Sequence, residues 1–171
     1  KANALGWKLS GVWLTHAHFD HIAGAGEVAS AFEPSLPVGL HPQDLPWYRQ
    51  DGGASQFGMN IPALPEITTN FKDGMLLGLT DDLTPVAKVL HAPGHSPGHA
   101  MFYVESLGAL LCGDVIFREG IGRTDLQGGD HETLLTSIRK QVFSLPDETR
   151  LLPGHGSDST VGYEKTHNPF L

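Results

Sequence analysis

The segment His16-Ala17-His18-Phe19-Asp20-His21 places three imidazoles and one carboxylate within six positions, directly after the apolar run at residues 11–15. In extended chain, positions two apart face the same side, so His16 and His18 can close on one ion. The turn that follows can swing Asp20 and His21 toward a second. A helix would set His16 and Asp20 four apart, but the strand-like run before them and Gly24-Ala25-Gly26 after them favour a loop. A single histidine of this kind is readily a hydrogen-bonded core residue. Four ligand-type side chains in so short a span point instead to metal.

Three further positions supply the same chemistry. His95, in Pro93-Gly94-His95-Ser96-Pro97-Gly98-His99, sits between glycines that let backbone approach a crowded centre, and it offers a third imidazole to the first ion. His99 reads as a core residue or a support behind the ligands. Asp114, in Cys112-Gly113-Asp114, leaves a buried strand; its two oxygens suit it to bridge two cations and offset their repulsion. His155, in Pro153-Gly154-His155-Gly156, completes the second ion. Asp20 and Asp114 are the residues expected to serve the reaction itself.

The elements that must hold these groups are short and separated by tight turns, as twenty-one glycines and twelve prolines require. Residues 2–5 read as the end of a helix. Residues 11–15 and 37–40 read as buried strands, and 25–32 as a helix closed by Pro34. Asp44 before Pro46 looks like a helix start, running to about Gln50. Residues 54–70 carry little pattern and are placed over a cleft. Asp73-Gly74 and Thr80-Asp81-Asp82 bracket a strand at 75–79, with another at 85–90. Residues 99–104 and 109–111 form a hairpin about Leu107-Gly108. Asp130 caps a helix over 131–143, where Leu134, Leu135, Ile138 and Val142 recur at helical spacing. A brief strand at 150–152 and a helical turn or two at 160–165 end the series. Ligand-type residues thus fall just after strand ends.

Composition narrows the classes. With 171 residues the chain is the size of one compact domain, and its hydrophobic fraction of 40% is that of a globular protein. No apolar run is long enough to span a bilayer. Eleven basic against nineteen acidic residues give a formal charge of −8, so neither nucleic acid nor an anionic membrane is an expected partner. A small molecule is; whether the chain is a monomer or a homo-oligomer stays open. The one cysteine, Cys112, forbids an intrachain disulfide and fits a reducing, cytoplasmic setting.

In order and spacing, H-x-H-x-D-H at 16–21, P-G-H-S-P-G-H at 93–99, C-G-D at 112–114 and P-G-H at 153–155 resemble the metallo-β-lactamase superfamily. The closer likeness is to its glyoxalase II-like branch, the hydroxyacylglutathione hydrolases, and to short bacterial members that lack the C-terminal helical domain. Asp114-Val115-Ile116-Phe117, Gly122-Arg123-Thr124-Asp125, Gly162-Tyr163-Glu164 and His167-Asn168-Pro169-Phe170 look like that subfamily. The resemblance covers essentially the whole chain. It implies an α/β (α+β) fold, a four-layer αββα sandwich with metals at one edge of two sheets. It implies one domain over residues 1–171 that lacks its N-terminal strands, about 30 residues by usual element lengths.

By the same resemblance the first ion takes His16, His18 and His95, the second takes Asp20, His21 and His155, and Asp114 bridges them. Nitrogen and oxygen donors without thiolate admit zinc, the default, or iron or manganese. The implied reaction is hydrolysis of a thioester such as S-lactoylglutathione by water activated between two divalent ions about 3.5–4 Å apart. A thiolate leaves with little protonation, its parent pKa being near 8.5, roughly that of cysteine, so no strong general acid is demanded. Phe117 and Arg123 resemble positions near the substrate, the guanidinium of Arg123 either holding a glutathione carboxylate or pairing with Asp125. Two other readings stand beside this one. A related persulfide dioxygenase would use a single iron on two histidines and an aspartate, and a non-catalytic fragment would bind metal without turnover. β-Lactamases of the common type carry cysteine where this chain has Asp114.

Overall fold

The computed structural model describes residues 3–79 and 82–171. Three short parallel strands form one sheet, β1 (Val12–Trp13), β2 (Val38–Leu40) and β3 (Thr69–Asn70), in that spatial order. A larger mixed sheet holds β4 (Leu76–Leu79), β5 (Asp82–His91), β6 (Ala100–Val104), β7 (Ala109–Gly113), β10 (Arg150–Pro153) and β11 (Ser159–Thr160), ordered β11-β10-β7-β6-β5-β4. Between β7 and β10 lies a two-stranded hairpin, β8 (Ile116–Phe117) with β9 (Gly120–Ile121). Helices α1 (Phe19–Ile22), α2 (Ala25–Ser30) and α3 (Leu45–Tyr48) flank the small sheet; α4 (His131–Ser137) and α5 (Val161–His167) flank the large one.

Alternation along the strands produces the layers, because successive side chains in a strand face opposite ways. Ala87 and Val89 of β5, with Ala100 and Phe102 of β6, face the small sheet and bury Phe71 and Trp13 between the sheets. The Phe71 ring meets Phe102 edge-on at 5.3 Å. Leu90 and Met101, one position over, face Leu134, Ile138 and Val142 of the α4 region. On the outer side of the small sheet, Leu14, Val38 and Leu40 pack on Ile22, Ala25, Ala29 and Trp47. Helix, sheet, sheet and helix therefore stack as the αββα sandwich the motifs imply. Each fully buried Leu, Ile or Phe contributes about 1.5–3 kcal/mol, so these three clusters set the relation of the layers.

Several local readings hold with shifted bounds. The helix expected at 131–143 is α4, continued by a π-helical turn at Ile138–Val142, and Asp130 Oδ1 caps it by accepting the Thr133 N–H at 2.7 Å. The 99–104 and 109–111 hairpin is β6 and β7, joined by a 3₁₀ turn at Glu105–Leu107 and by Gly108 at φ 52°. The segment 2–5 is a 3₁₀ turn over Asn3–Leu5 where described. Thr80 and Asp81 of the expected turn lie outside the described residues. The loop reading of 16–21 is half right: His16 to His18 is extended, but Phe19–Ile22 closes into the single turn α1. Asp44 was expected to cap a helix; its side chain makes no cap bond and is turned inward.

Four connections meet at one rim of the sandwich. They follow the C-terminal ends of β1, β7 and β10, and join β5 to β6. The two sheets are tied there directly, the Ala100 N–H donating to the Thr15 carbonyl at 2.7 Å.

Candidate metal centre

All seven side chains singled out as ligands converge at that rim. Donor atoms of His16, His18 and His95 lie within 4.8 Å of one another, as do those of His16, His21 and Asp114, and those of Asp20, His21 and His155. His18 Nδ1 stands 2.8 Å and His16 Nε2 3.2 Å from His95 Nε2. His155 Nε2 is 3.1 Å from both His21 Nε2 and Asp20 Oδ2. Asp114 lies between the two groups: Oδ1 is 3.4 Å from His21 Nε2, while Oδ2 is 3.8 Å from His95 Nε2 and 3.6 Å from His155 Nε2.

Backbone and neighbouring side chains aim these rings. The Arg123 carbonyl can only accept, so its 2.8 Å contact fixes the proton of His95 on Nδ1 and leaves the Nε2 lone pair facing His16 and His18. Thr15 Oγ1 lies 3.0 Å from His16 Nδ1; a hydroxyl can donate or accept, so this bond orients the ring without fixing which nitrogen carries the proton. His99, wholly buried behind the group, accepts the Asp114 backbone N–H on Nε2 at 3.0 Å and stacks on His16. It is both a core residue and a support behind the ligands, the two readings its position before β6 left open. Gly113 and Gly154 are required for contact: a Cβ on Gly113 would stand 2.6 Å from His99 Nε2, and one on Gly154 would run into the Asp114 carboxylate and the His21 ring.

Burial, reinforced by the neighbouring imidazoles, pushes His16 well below the ordinary histidine value and His18 down to about 4; burial also lowers His95. Three neutral rings with converging lone pairs result, the form that ligates metal. For His21, burial opposes charge, but the Asp114 carboxylate and then Asp20 carry it above its usual value. Burial works to raise Asp114; His21, His95 and His155 outweigh it and hold the carboxyl below the usual range.

The residues present fit a pair of divalent cations. Asp114 Oδ1 is buried without a hydrogen-bond donor, and the nitrogens of three neutral imidazoles crowd to 2.8–3.2 Å. Each arrangement is costly unless positive charge lies among them. Three converging imidazole nitrogens are the donor set a divalent ion such as zinc takes.

A cleft of about 470 Å³ opens over the group. Phe117 lines it, its ring 6.4 Å from that of His155. Arg123 lines it as well, but its guanidinium is held by Asp125 in two bonds of 2.7 and 2.8 Å, and both side chains are exposed. Phe19, Trp47, Phe57, Ile121 and Leu126 complete an apolar wall. Phe57 comes from the stretch placed over a cleft by its lack of pattern; the others gave no signal, since only the packing of distant segments turns them here. Asp44 is a further residue at the site that motif spacing did not single out. Its one available clue was position, just after the apolar strand β2, where the other ligand-bearing loops also begin.

Comparison with known proteins gives the same picture. The family model described as the metallo-β-lactamase superfamily matches residues 1–155. A probable metallo-hydrolase of Bacillus subtilis, YqgX, is 40% identical over 164 residues, 94% of this chain and 74% of that protein. The hydroxyacylglutathione hydrolase GloC of Haemophilus influenzae is 39% identical over 160 residues, 92% of this chain and 74% of GloC. Among solved structures, TTHA1623 in a di-iron-bound form superposes with a TM-score of 0.89 at 40% identity, covering 99% of this chain and 81% of that one.

Proposed function

This chain belongs to the metallo-β-lactamase superfamily, and on that premise we propose that it is a dinuclear metallohydrolase that cleaves acyl thioesters of the S-lactoylglutathione type. The observation that carries this reading is the junction at Asp114, whose carboxylate touches both the three-histidine group and the Asp20-His21-His155 group. Two ligand groups joined by one carboxylate support a site for two ions. The likeness to GloC supports the thioester, and that to the di-iron form of TTHA1623 supports two ions.

His16, His18 and His95 would hold one ion, Asp20, His21 and His155 the other, and Asp114 would join them. Such a pair supplies Lewis acidity toward the thioester carbonyl and lowers the pKa of water toward neutrality. Donors of this type admit zinc, iron or manganese. The remaining work falls to the chain. Asp20 Oδ2, on a carboxylate 40% exposed at the cleft floor, is placed to take a proton from incoming water. The apolar wall of Phe19, Trp47, Phe57 and Phe117 excludes bulk water from the acyl group and strengthens each electrostatic contact beneath it. No group of the cleft need protonate the thiolate as it leaves, since a thiol of pKa about 8.5 is a good leaving group. Cys112 takes no part: burial raises its thiol far above the ordinary value.

Elemental analysis of the purified chain, with thioester hydrolysis and oxygen uptake measured side by side, tests the reading. Two metal ions per chain and metal-dependent release of thiol without oxygen consumption are expected. One iron per chain with oxygen uptake on glutathione persulfide would replace the reading with a dioxygenase. Metal binding without turnover of any thioester would reduce the chain to a binding fragment.

A further inference from the structure

Asp44 is 1% exposed and lies beneath the three-histidine group without facing it as a ligand. Its Oδ2 accepts the Ala17 N–H at 3.0 Å and the Ser96 hydroxyl at 2.8 Å; its Oδ1 accepts the Gly98 N–H at 2.6 Å. Ala17 separates His16 from His18, and Ser96 and Gly98 follow His95. Among the described residues, every donor to this carboxylate therefore belongs to one of the two loops that carry the three imidazoles. These loops belong to different sheets, one leaving β1 and the other joining β5 to β6. Gly98 is fitted to the acid: a Cβ there would stand 2.6 Å from the Asp44 nitrogen and 2.8 Å from Oδ1. Local geometry offers the acid another task, as its position before α3 is that of a helix cap, yet it makes no cap bond.

We propose that Asp44 is a positioning residue that clasps the His16–His18 loop to the His95 loop and so sets the affinity of the three-histidine position for metal. Hydrogen bonds to an ionised acceptor are about twice as strong as neutral ones, and three converge on one buried group, so the spacing of the loops is fixed before any ion arrives. Neither the Asp114 loop nor the His155 loop donates to Asp44, and of the second position's ligands only Asp20 and His21 share a segment with a clasped residue, so the clasp acts chiefly on the three-histidine position. Replacing the acid by its amide turns an NH₂ toward groups that are themselves donors, which forces the loops apart while side-chain volume is kept.

The inference rests on the metal-site reading above, and zinc affinity, measured by competition with a chelating dye, separates the two. In a His155→Ala background, which leaves the three-histidine position, Asp44→Asn is expected to weaken zinc by about 10–100-fold, the usual effect of losing a partner behind the ligands. In a His95→Ala background, which leaves the other position, the same change is expected to leave zinc affinity nearly unaltered. A general loss of structure would lower both affinities together and overturn the proposal, as would no loss in either. Should Asp44→Asn fail to fold, Ser96→Ala removes one donor and keeps the acid; a smaller loss confined to the His155→Ala background supports the clasp, and unchanged affinity overturns it. A wild-type chain that binds no zinc defeats the site and the clasp together, whereas normal wild-type binding with an indifferent Asp44 defeats the clasp alone.

Discussion

His95 is engaged at both ring nitrogens: Nδ1 is committed to the Arg123 carbonyl, and Nε2 faces His16, His18 and Asp114. Its replacement by alanine should take metal content from two ions to one and lower thioester turnover by more than about 100-fold, the upper end of what losing even an outer partner costs. Plasma emission analysis with a steady-state assay checks both numbers. The residue scale is also where the sequence was most legible. Clustered ligand types within six positions carry meaning before any fold is known, because few other roles would gather three imidazoles and a carboxylate. Asp44 and the apolar wall were not legible for the converse reason. An aspartate before a proline has a local explanation as a cap, and only the approach of residues 17, 96 and 98 reveals the other use.

At the scale of elements, helix α4 presses on the loop that carries His95. The Asp130 N–H donates to the Gly94 carbonyl at 2.8 Å, and Gly94, at φ 132°, leaves no room for a Cβ against the backbone of Leu134. Gly94→Ala should therefore displace His95, with loss of metal at the three-histidine position and a marked fall in Tm. Gly74→Ala meets nothing within 4 Å and bears only its left-handed φ of 74°, so about 1–2 kcal/mol of stability and no metal should be lost. Thermal melts paired with metal analysis distinguish these outcomes.

Another element-level joint lies where β2 gives way to His41 and β5 ends in His91, their rings stacked at 4.1 Å. Burial, then the charge His91 would bear, against a smaller opposing pull from Asp73, brings His41 down to about 4 from 6.5. Between those values the unfolded chain binds a proton that the folded chain does not, so this contribution to stability is whole above the unfolded value and declines as pH falls toward the folded one. In metal-free protein, the loss of urea midpoint between about pH 7.5 and about pH 5 should be smaller for His41→Phe than for the wild type. An equal loss in both would show that His41 titrates alike folded and unfolded. Apolar runs or alternation bounded by turn residues made β5, β6 and β7 readable, and helical spacing made α4 readable. β3, β8, β9 and β11 have two residues each, too few to show any period; β3 and β11 pair with the longer β2 and β10, and β8 and β9 pair with each other.

For the whole molecule, the three apolar clusters account for the layers, while the rim accumulates buried histidines and an unpartnered carboxylate oxygen that burial alone disfavours. Bound metal should then stabilise the entire sandwich, by about 2.7 kcal/mol when free metal is 100 times Kd. Chelation should lower Tm accordingly, and restored zinc should return it. Among the described residues no helix is long and apolar enough to cross a membrane, and the formal charge of −8 gives phosphate backbones no general attraction.

The most direct test of the dinuclear site is an anomalous-difference map from crystals of the zinc-loaded chain. Two peaks about 3.5–4 Å apart are predicted, one within reach of His16, His18 and His95, the other of Asp20, His21 and His155, with Asp114 in contact with both. A single peak at full zinc occupancy, or two peaks with Asp114 turned away from either, would contradict the account.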